Sequence, residues 1–369
     1  MAMPALPDDV IAEILIRLPQ DDPSCLLHAS LVCKPWLGIA SAPGFRRRLR
    51  AFHPAPPMLG FLRDHCPRGP RFTATTASAF SLPAAAPEEP RGTALDCRHG
   101  RVLFLASCDL LVVWEPMTGD LRRVPTPAAF NNIYFLPNAA VVCTASGCDH
   151  RGCSTGGPFL VVFVCSKTKG GPMIIESETA AEVCVYSSET DTWNEPITIY
   201  IDSIVATKRH ILVGRTLYIP FDFGFILQYD LCGHGLAVIQ IPEMLLTNYK
   251  GNIMLMPTED GKLGVAGAEG LSLSLWSREE GTGHGDAVWE QDRVIDLDHL
   301  LPAAENMELV SFAEGTNTIF LGTDDGVFTF ELKSRQLRRV GNRDDSEVLL
   351  PFVSFYTPAN WALLVRLPS

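Results

Sequence analysis

Residues 110–124 read LLVVWEPMTGDLRRV. Five apolar residues end at Trp114, a polar stretch with Gly119 and Asp120 follows, and Leu121 returns seven positions after the tryptophan. A β-branched and aromatic run, broken by Pro, Gly and Asp and then resumed, predicts a strand, a turn and a second strand. The phrase recurs. VCVYSSETDTWNEPI sets Tyr186 against Trp193, FILQYDLCGHGLAVI sets Tyr229 against Leu236, and GVFTFELKSRQLRRV sets Phe330 against Leu337. A fifth copy, LSLSLWSREEGTGHGDAVWEQ, holds Trp276 and Trp289 thirteen apart, and a six-residue Gly-rich insertion in the turn accounts for the difference.

The five aromatic anchors are separated by 72, 43, 47 and 54 residues. Tandem hairpins at this period predict the blades of a β-propeller, whose repeats run about 40–50 residues. The first gap is long because GCDHRGCSTGGP interrupts it at 147–158. GKLGVAG and NTIFLGTDDG supply strands between the hairpins, and Asp324-Asp325-Gly326 forms a turn. PMLGFL near residue 58 and PFVSFY near the C-terminus are expected to pair in one more blade and remove a free edge. The count is about six. A pair of β-sandwiches is the alternative, and tandem spacing argues against it. PFVSFYTPANWALLV is expected to be buried β-structure, and SLPAAAPEEPRG at 81–92 a loop.

The first fifty residues differ. In LPDDVIAEILIRLP (6–19), Val10, Ile11, Ile14, Leu15 and Leu18 share one helical face. Asp8 and Asp9 favour the start of that helix and Pro19 ends it. Asp22-Pro23 predicts the cap and first turn of a second helix with Leu26, Leu27 and Leu31. A third helix is expected from Pro35 onward, with Trp36 and Ile39 on one side and Phe45 and Leu49 extending the set. Three short helices form a marginal core alone. They are either a cap on the β-rich body or a docking module with apolar residues left for a partner.

Leu6-Pro7, Ile14-Leu15, Leu18-Pro19, Leu31-Val32-Cys33-Lys34 and Trp36 resemble, in order and spacing, the F-box motif. Pro35 departs from it, standing where that family usually has a basic or polar residue. LDCRHGRVL, VYSSETDTW, ILQYDL, SLWSRE and FLGTDDGVFTFELKS make the body similar to the F-box-associated β-propellers of plant F-box proteins. The aromatic hairpins are kelch-like, although the paired glycines of kelch repeats are missing. The resemblance spans nearly the whole chain. It implies a multi-domain protein: an all-α F-box head at 1–50, a Pro-rich linker at 51–57 and an all-β propeller at 58–369, with the head and propeller packing separately. It also implies a non-catalytic substrate receptor of a Skp–cullin–F-box ubiquitin ligase. The head docks a Skp-type adaptor, which brings cullin and RING subunits, and the propeller recruits an unidentified protein substrate. The implied adaptor-binding residues are Leu6, Pro7, Ile11, Ile14, Leu15, Leu18, Pro19, Leu31, Val32, Cys33 and Trp36. The alternative is a propeller enzyme, a hydrolase or lyase, with an accessory helical cap.

Composition fits the first reading. The formal net charge is −12. The first fifty residues are close to neutral, so the body is acidic, which argues against nucleic acid as the main ligand. The Arg46–Arg50 cluster is expected to be a solvated helix end. The longest apolar run, FLVVFVC at 159–165, is far short of a membrane span. With no basic start in MAMPALPDDV, a cytoplasmic or nuclear location is expected. Eleven cysteines, an odd number often inside strand-like runs, predict reduced thiols rather than a disulfide framework.

No phosphate-binding, metalloprotease or hydrolase fingerprint is present. GTGHGD at 281–286 lacks the third glycine of a dinucleotide loop. The acid pairs Asp324/Asp325 and Asp344/Asp345 are expected to be solvated turn residues. The best metal candidate is CTASGCDHRGC, which places Cys143, Cys148, His150 and Cys153 within eleven residues. Its spacing is not a pair of C-x2-C knuckles and Cys143 belongs to a strand, so a polar loop without metal is expected. No cofactor is expected.

Overall fold

The structure, a computed structural model, describes residues 6–355 except 20–21, 54, 64–70, 76–91, 129, 131–136, 147, 149, 151–152, 154–155, 169–178, 207, 280–286, 302–303 and 344–348. The loop expected at 81–91, the turn at 281–286, the pair Asp344/Asp345 and the end of the PFVSFYTPANWALLV phrase lie outside the described residues.

Four helices open the chain: α1 (Asp8–Ile16), α2 (Pro23–Leu31), α3 (Lys34–Ser41) and α4 (Pro43–Phe52). The expected third helix is therefore two. Pro43 stands in the first turn of α4, and Ala42 before it is extended at φ −67, ψ 139. A proline ring disfavours helical geometry in the preceding residue and removes a donor, so the chain breaks there and restarts. Helix α4 runs to Phe52, so the stretch read as a linker begins inside a helix. The head's core is Ile11, Ala12, Leu15 and Ile16 of α1 with Leu26, Ala40, Phe45, Leu49 and Phe355. Phe355 comes from the far end of the chain, so the head does not pack separately as expected.

Six antiparallel sheets dominate the rest of the described residues. The first strands are β1 (Met58–Arg63) and β2 (Arg71–Ala74). Strands β3 (Thr93–Arg98), β4 (Arg101–Ser107), β5 (Leu110–Glu115) and β6 (Asp120–Pro125) follow one another in a single sheet. The next has β7 (Asn138–Cys143), β8 (Phe159–Thr168), β9 (Thr179–Ser187) and β10 (Thr192–Trp193), with β11 (Ile197–Tyr200) also on β9. Strands β12 (Ile211–Val213), β13 (Thr216–Pro220), β14 (Phe225–Asp230) and β15 (Leu236–Gln240) form a third meander. Helix α5 (Glu243–Asn248) leads from it to β16 (Ile253–Pro257), β17 (Leu263–Glu269), β18 (Ser272–Glu279) and β19 (Val288–Asp296). Another meander holds β20 (Glu308–Ala313), β21 (Thr318–Thr323), β22 (Gly326–Glu331) and β23 (Leu337–Gly341), and β24 (Leu349–Val353) ends the series. β24 joins β1 and β2 in the sixth sheet, with Leu350 opposite Leu62 and Pro351 opposite Phe61, as PMLGFL and PFVSFY predict.

Inner strands are buried along almost their whole length, as in β5, whereas last strands such as β6 and β19 alternate and carry charges. Charged, alternating edges discourage pairing with other chains. Four of the five hairpin readings hold in register: Trp114 faces Leu121, Tyr186 faces Trp193, Tyr229 faces Leu236 and Phe330 faces Leu337. The fifth does not. Trp276 pairs with Gln291 and Trp289 with Arg278, beside a bulge at Leu275/Trp276. The slip is two residues on the partner strand, so both indoles stay on one side of the sheet, against the cluster around Tyr249 and Leu255.

The four regular hairpins share a backbone device. The residue five after the aromatic adopts positive φ: Gly119 (79), Asp191 (58), His234 (55) and Arg335 (54). Its N–H donates to the carbonyl of the residue after the aromatic, at 2.8 Å for Glu115, 2.9 Å for Ser187, 2.9 Å for Asp230 and 2.9 Å for Glu331. Such a turn sets the seven-residue return. In two copies the aromatic hydroxyl meets the side chain at the turn: Tyr186 with Asp191, and Tyr229 with His234 Nδ1 at 2.5 Å.

By packing, the chain divides into two compact units. The first contains the head, β1–β6, the stretch 141–159 and β24. Within it Asp96 is fully buried and accepts N–H bonds from Cys97 (2.8 Å) and Val141 (2.9 Å). The second contains 126–140 and 160–348. There Asn252 holds neighbouring strands through two carbonyls, Ala268 and Met307, and the N–H of Leu309.

Candidate docking surface

Helix α1 divides its apolar residues between two faces. Ile11 and Leu15 are buried at 6% and 1% exposure and point into the head's core. Both were expected among the contact residues, and in the chain by itself they are core residues of the head. Leu18 and Trp36 are half-buried against the same core. Leu6 (53%), Ile14 (44%), Leu31 (62%) and Val32 (68%) are open to solvent, and Pro7, Pro19 and Cys33 are exposed. Val10, absent from the expected set, is also exposed. It lies one helical turn before Ile14, so the two form one outward stripe. The signal was present in the sequence, because Val10 and Ile14 stand at i and i+4.

Polar contacts hold α1 in place. Glu13 receives Arg17 at 2.6 Å from its own helix and Arg48 from α4. The Arg48 hydrogen bond, followed by Arg17, holds the Glu13 carboxyl below the usual carboxylate range. His53 Nε2 lies 2.8 Å from the Ile16 carbonyl. Arg48 thus fastens the head, while Arg46 is pulled down in basicity by burial and by Arg50, so the arginine cluster is only partly the solvated end expected.

The Cys/His stretch brings its four side chains together. Cys143 closes β7 and is buried, and Cys148, His150 and Cys153 sit on the hairpin loop to β8. The four potential ligand atoms lie within 4.8 Å of one another. Hydrogen bonding with Cys153 pulls the Cys143 thiol below its ordinary range, and the same bond pushes Cys153 up. His99, held down to about 3 chiefly by burial and then by Arg98, accepts the Cys143 N–H on Nδ1 at 3.1 Å.

Comparison with known proteins accounts for both parts. The description "F-box-like" matches residues 3–51. "F-box protein AT5G49610-like, beta-propeller" matches residues 94–359, well over half of the chain. No curated protein matches. Among solved structures, a chain of the mitotic checkpoint complex is 12% identical at TM-score 0.36, covering 73% of this chain and 70% of that one. The Cps50 (Swd1) β-propeller domain of Myceliophteria thermophila is 11% identical at TM-score 0.35, covering 72% and 88%. HIRA(644–1017) is 12% identical at TM-score 0.24, covering 56% and 54%. A few helices followed by six blades, with these two matches in that order, make the chain a member of the F-box proteins that carry an AT5G49610-like β-propeller.

Proposed function

We propose that this chain is the substrate-recognition subunit of a Skp–cullin–F-box ubiquitin ligase. The observation that carries the reading is the exposed apolar set Leu6, Val10, Ile14, Leu31 and Val32 on an F-box-like head. The head's own core leaves these side chains unused, and apolar surface of this kind favours a partner. In this reading Leu6, Pro7, Ile14, Pro19, Leu31, Val32 and Cys33 contact a Skp-type adaptor. Leu18 and Trp36 form the margin, and Ile11 and Leu15 hold the surface in shape.

The chain performs no chemical step. It binds a protein substrate through the propeller and the adaptor through the head, so substrate and ubiquitin-charged enzyme meet at high effective concentration. Cullin and RING subunits join through the adaptor, in the cytoplasm or nucleus. The test is affinity capture of the full chain. Adaptor and cullin should be recovered together and lost with the double variant Leu6→Ala/Pro7→Ala. Recovery of neither with the folded wild-type chain overturns the reading and returns the head to the status of a cap.

A further inference from the structure

The last residue of β7 and the loop to β8 bring together four potential metal ligands whose chain spacing is not that of a paired C-x2-C knuckle. Cys148 Sγ is 3.6 Å from Cys153 Sγ, and Cys153 Sγ is 3.8 Å from His150 Nδ1. All four ligand atoms, with Cys143, fall within 4.8 Å of each other. A tetrahedral zinc ion, about 2.3 Å from sulfur and about 2.0–2.1 Å from nitrogen, sets two sulfurs about 3.8 Å apart and a sulfur and a nitrogen about 3.6 Å apart. The Cys148–Cys153 and Cys153–His150 separations are close to two such edges, and no pair of the four atoms is farther apart than 4.8 Å. A disulfide would require about 2.05 Å between sulfurs.

The surroundings fix the cluster. The loop's base is closed by Thr144 N–H donating to the Pro158 carbonyl at 3.0 Å. Arg101 and Glu115, both buried, pair at 2.8 Å. From that pair Arg101 donates to the Gly157 carbonyl at 2.7 Å and Glu115 accepts the Gly156 N–H at 3.0 Å. His99 sits in a His99-Gly100 turn with positive φ at both residues. Its ring stacks on His150 with centroids 4.6 Å apart, while its Nδ1 accepts from the backbone of Cys143. His150 itself is held at φ 57, a backbone conformation unfavourable for a non-glycine residue, which a metal bond would offset.

We propose that Cys143, Cys148, His150 and Cys153 bind one zinc ion in a closed tetrahedral site that braces the β7–β8 loop. Three thiolates and an imidazole select zinc over magnesium or calcium. Four protein ligands leave no open position for water, so the site is structural. His99 acts as a positioning residue, touching one ligand through its ring and another through its backbone. The spacing is unlike a paired knuckle because the first ligand stands on a strand and the other three on the loop it enters.

The experiment uses the full chain, purified with reductant and without chelator. Elemental analysis should find one zinc per chain. Cys148→Ser and His150→Ala should each lose it, while Cys108→Ser and Cys232→Ser, at exposed cysteines outside the loop, should keep it. Cobalt exchanged into the wild-type chain should show the intense visible bands of tetrahedral thiolate-ligated Co2+. That measurement needs no variant and decides the matter if Cys148→Ser is insoluble. Folded, reduced wild-type protein with substoichiometric zinc, or with only the weak spectrum of oxygen-bound cobalt, overturns the proposal. So does zinc retained in His150→Ala and Cys148→Ser together, or a Cys148–Cys153 disulfide found in the native chain by mass spectrometry.

Discussion

The helical head and the hairpin sheets treat apolar side chains differently. In the sheets, Leu111, Phe163, Val265 and Phe320 are completely buried. Of thirteen large apolar residues exposed among the described ones, six lie in the head: Leu6, Val10, Ile14, Leu31, Val32 and Phe52. That is a high density for so short a segment with a core of nine buried residues. The sheets use apolar residues to fold, whereas the head holds back a set that folding does not consume. A small module that keeps apolar surface at the expense of its own core is shaped by binding.

Four changes break or sharpen that contrast. The largest effect is expected from deletion of 349–369, which removes β24 from β1 and Phe355 from the head's core. It should abolish soluble, cooperatively unfolding protein, as seen by expression and thermal unfolding. A soluble product would mean that the sixth sheet does not need its C-terminal strand. Next, Phe355→Ala and Leu15→Ala should destabilise by about 3–5 and 2–5 kcal/mol in denaturant unfolding. Ile14→Ala, on the outward face, should stay within about 0.5 kcal/mol. Equal losses for Leu15 and Ile14 would erase the distinction between the two faces.

The third change is Leu6→Ala with Pro7→Ala. It should weaken adaptor binding by about a hundredfold, or about 2.7 kcal/mol, with unfolding unaltered. Calorimetry beside thermal melting separates the two; a lowered melting temperature with full affinity would make the head structural. The smallest effect is expected at a hairpin turn. Arg335 is exposed at φ 54, and glycine takes that conformation without steric cost. Arg335→Gly should therefore raise stability by up to about 1 kcal/mol. A loss would show that the guanidinium contributes more than the backbone strain removes.

Four hairpins were legible in register because an aromatic residue and its partner seven positions later face each other across a turn of fixed length. The cause of that length was hidden. Gly119, Asp191, His234 and Arg335 share a backbone conformation but no side-chain chemistry. The fifth hairpin slipped because a bulge at Leu275/Trp276 is invisible to spacing. Helix α5 was missed because EMLLTN is too short to show a period. In the head, the inner and outer faces of α1 were merged: Val10, Ile11, Ile14 and Leu15 read as one stripe, and only packing against α3 and α4 separates the pairs. Phe355 was beyond reach for a different reason, since no local pattern marks a residue that packs against helices some three hundred positions earlier.

Pairing between β1 and β24 also has a consequence during synthesis. Met58 cannot meet Val353 until about three hundred more residues have been made and have left the ribosome. At about 5–20 residues per second that leaves β1 waiting roughly 15–60 s with one unpaired edge. Over the same interval the helices lack Phe355, so neither the head nor β1 can mature before the stretch from β24 to Phe355 arrives. Ribosome-bound chains stalled before residue 349 should show β1 open to limited proteolysis, and full-length released chains should show it protected. The protein's first segments are thus the last to be finished.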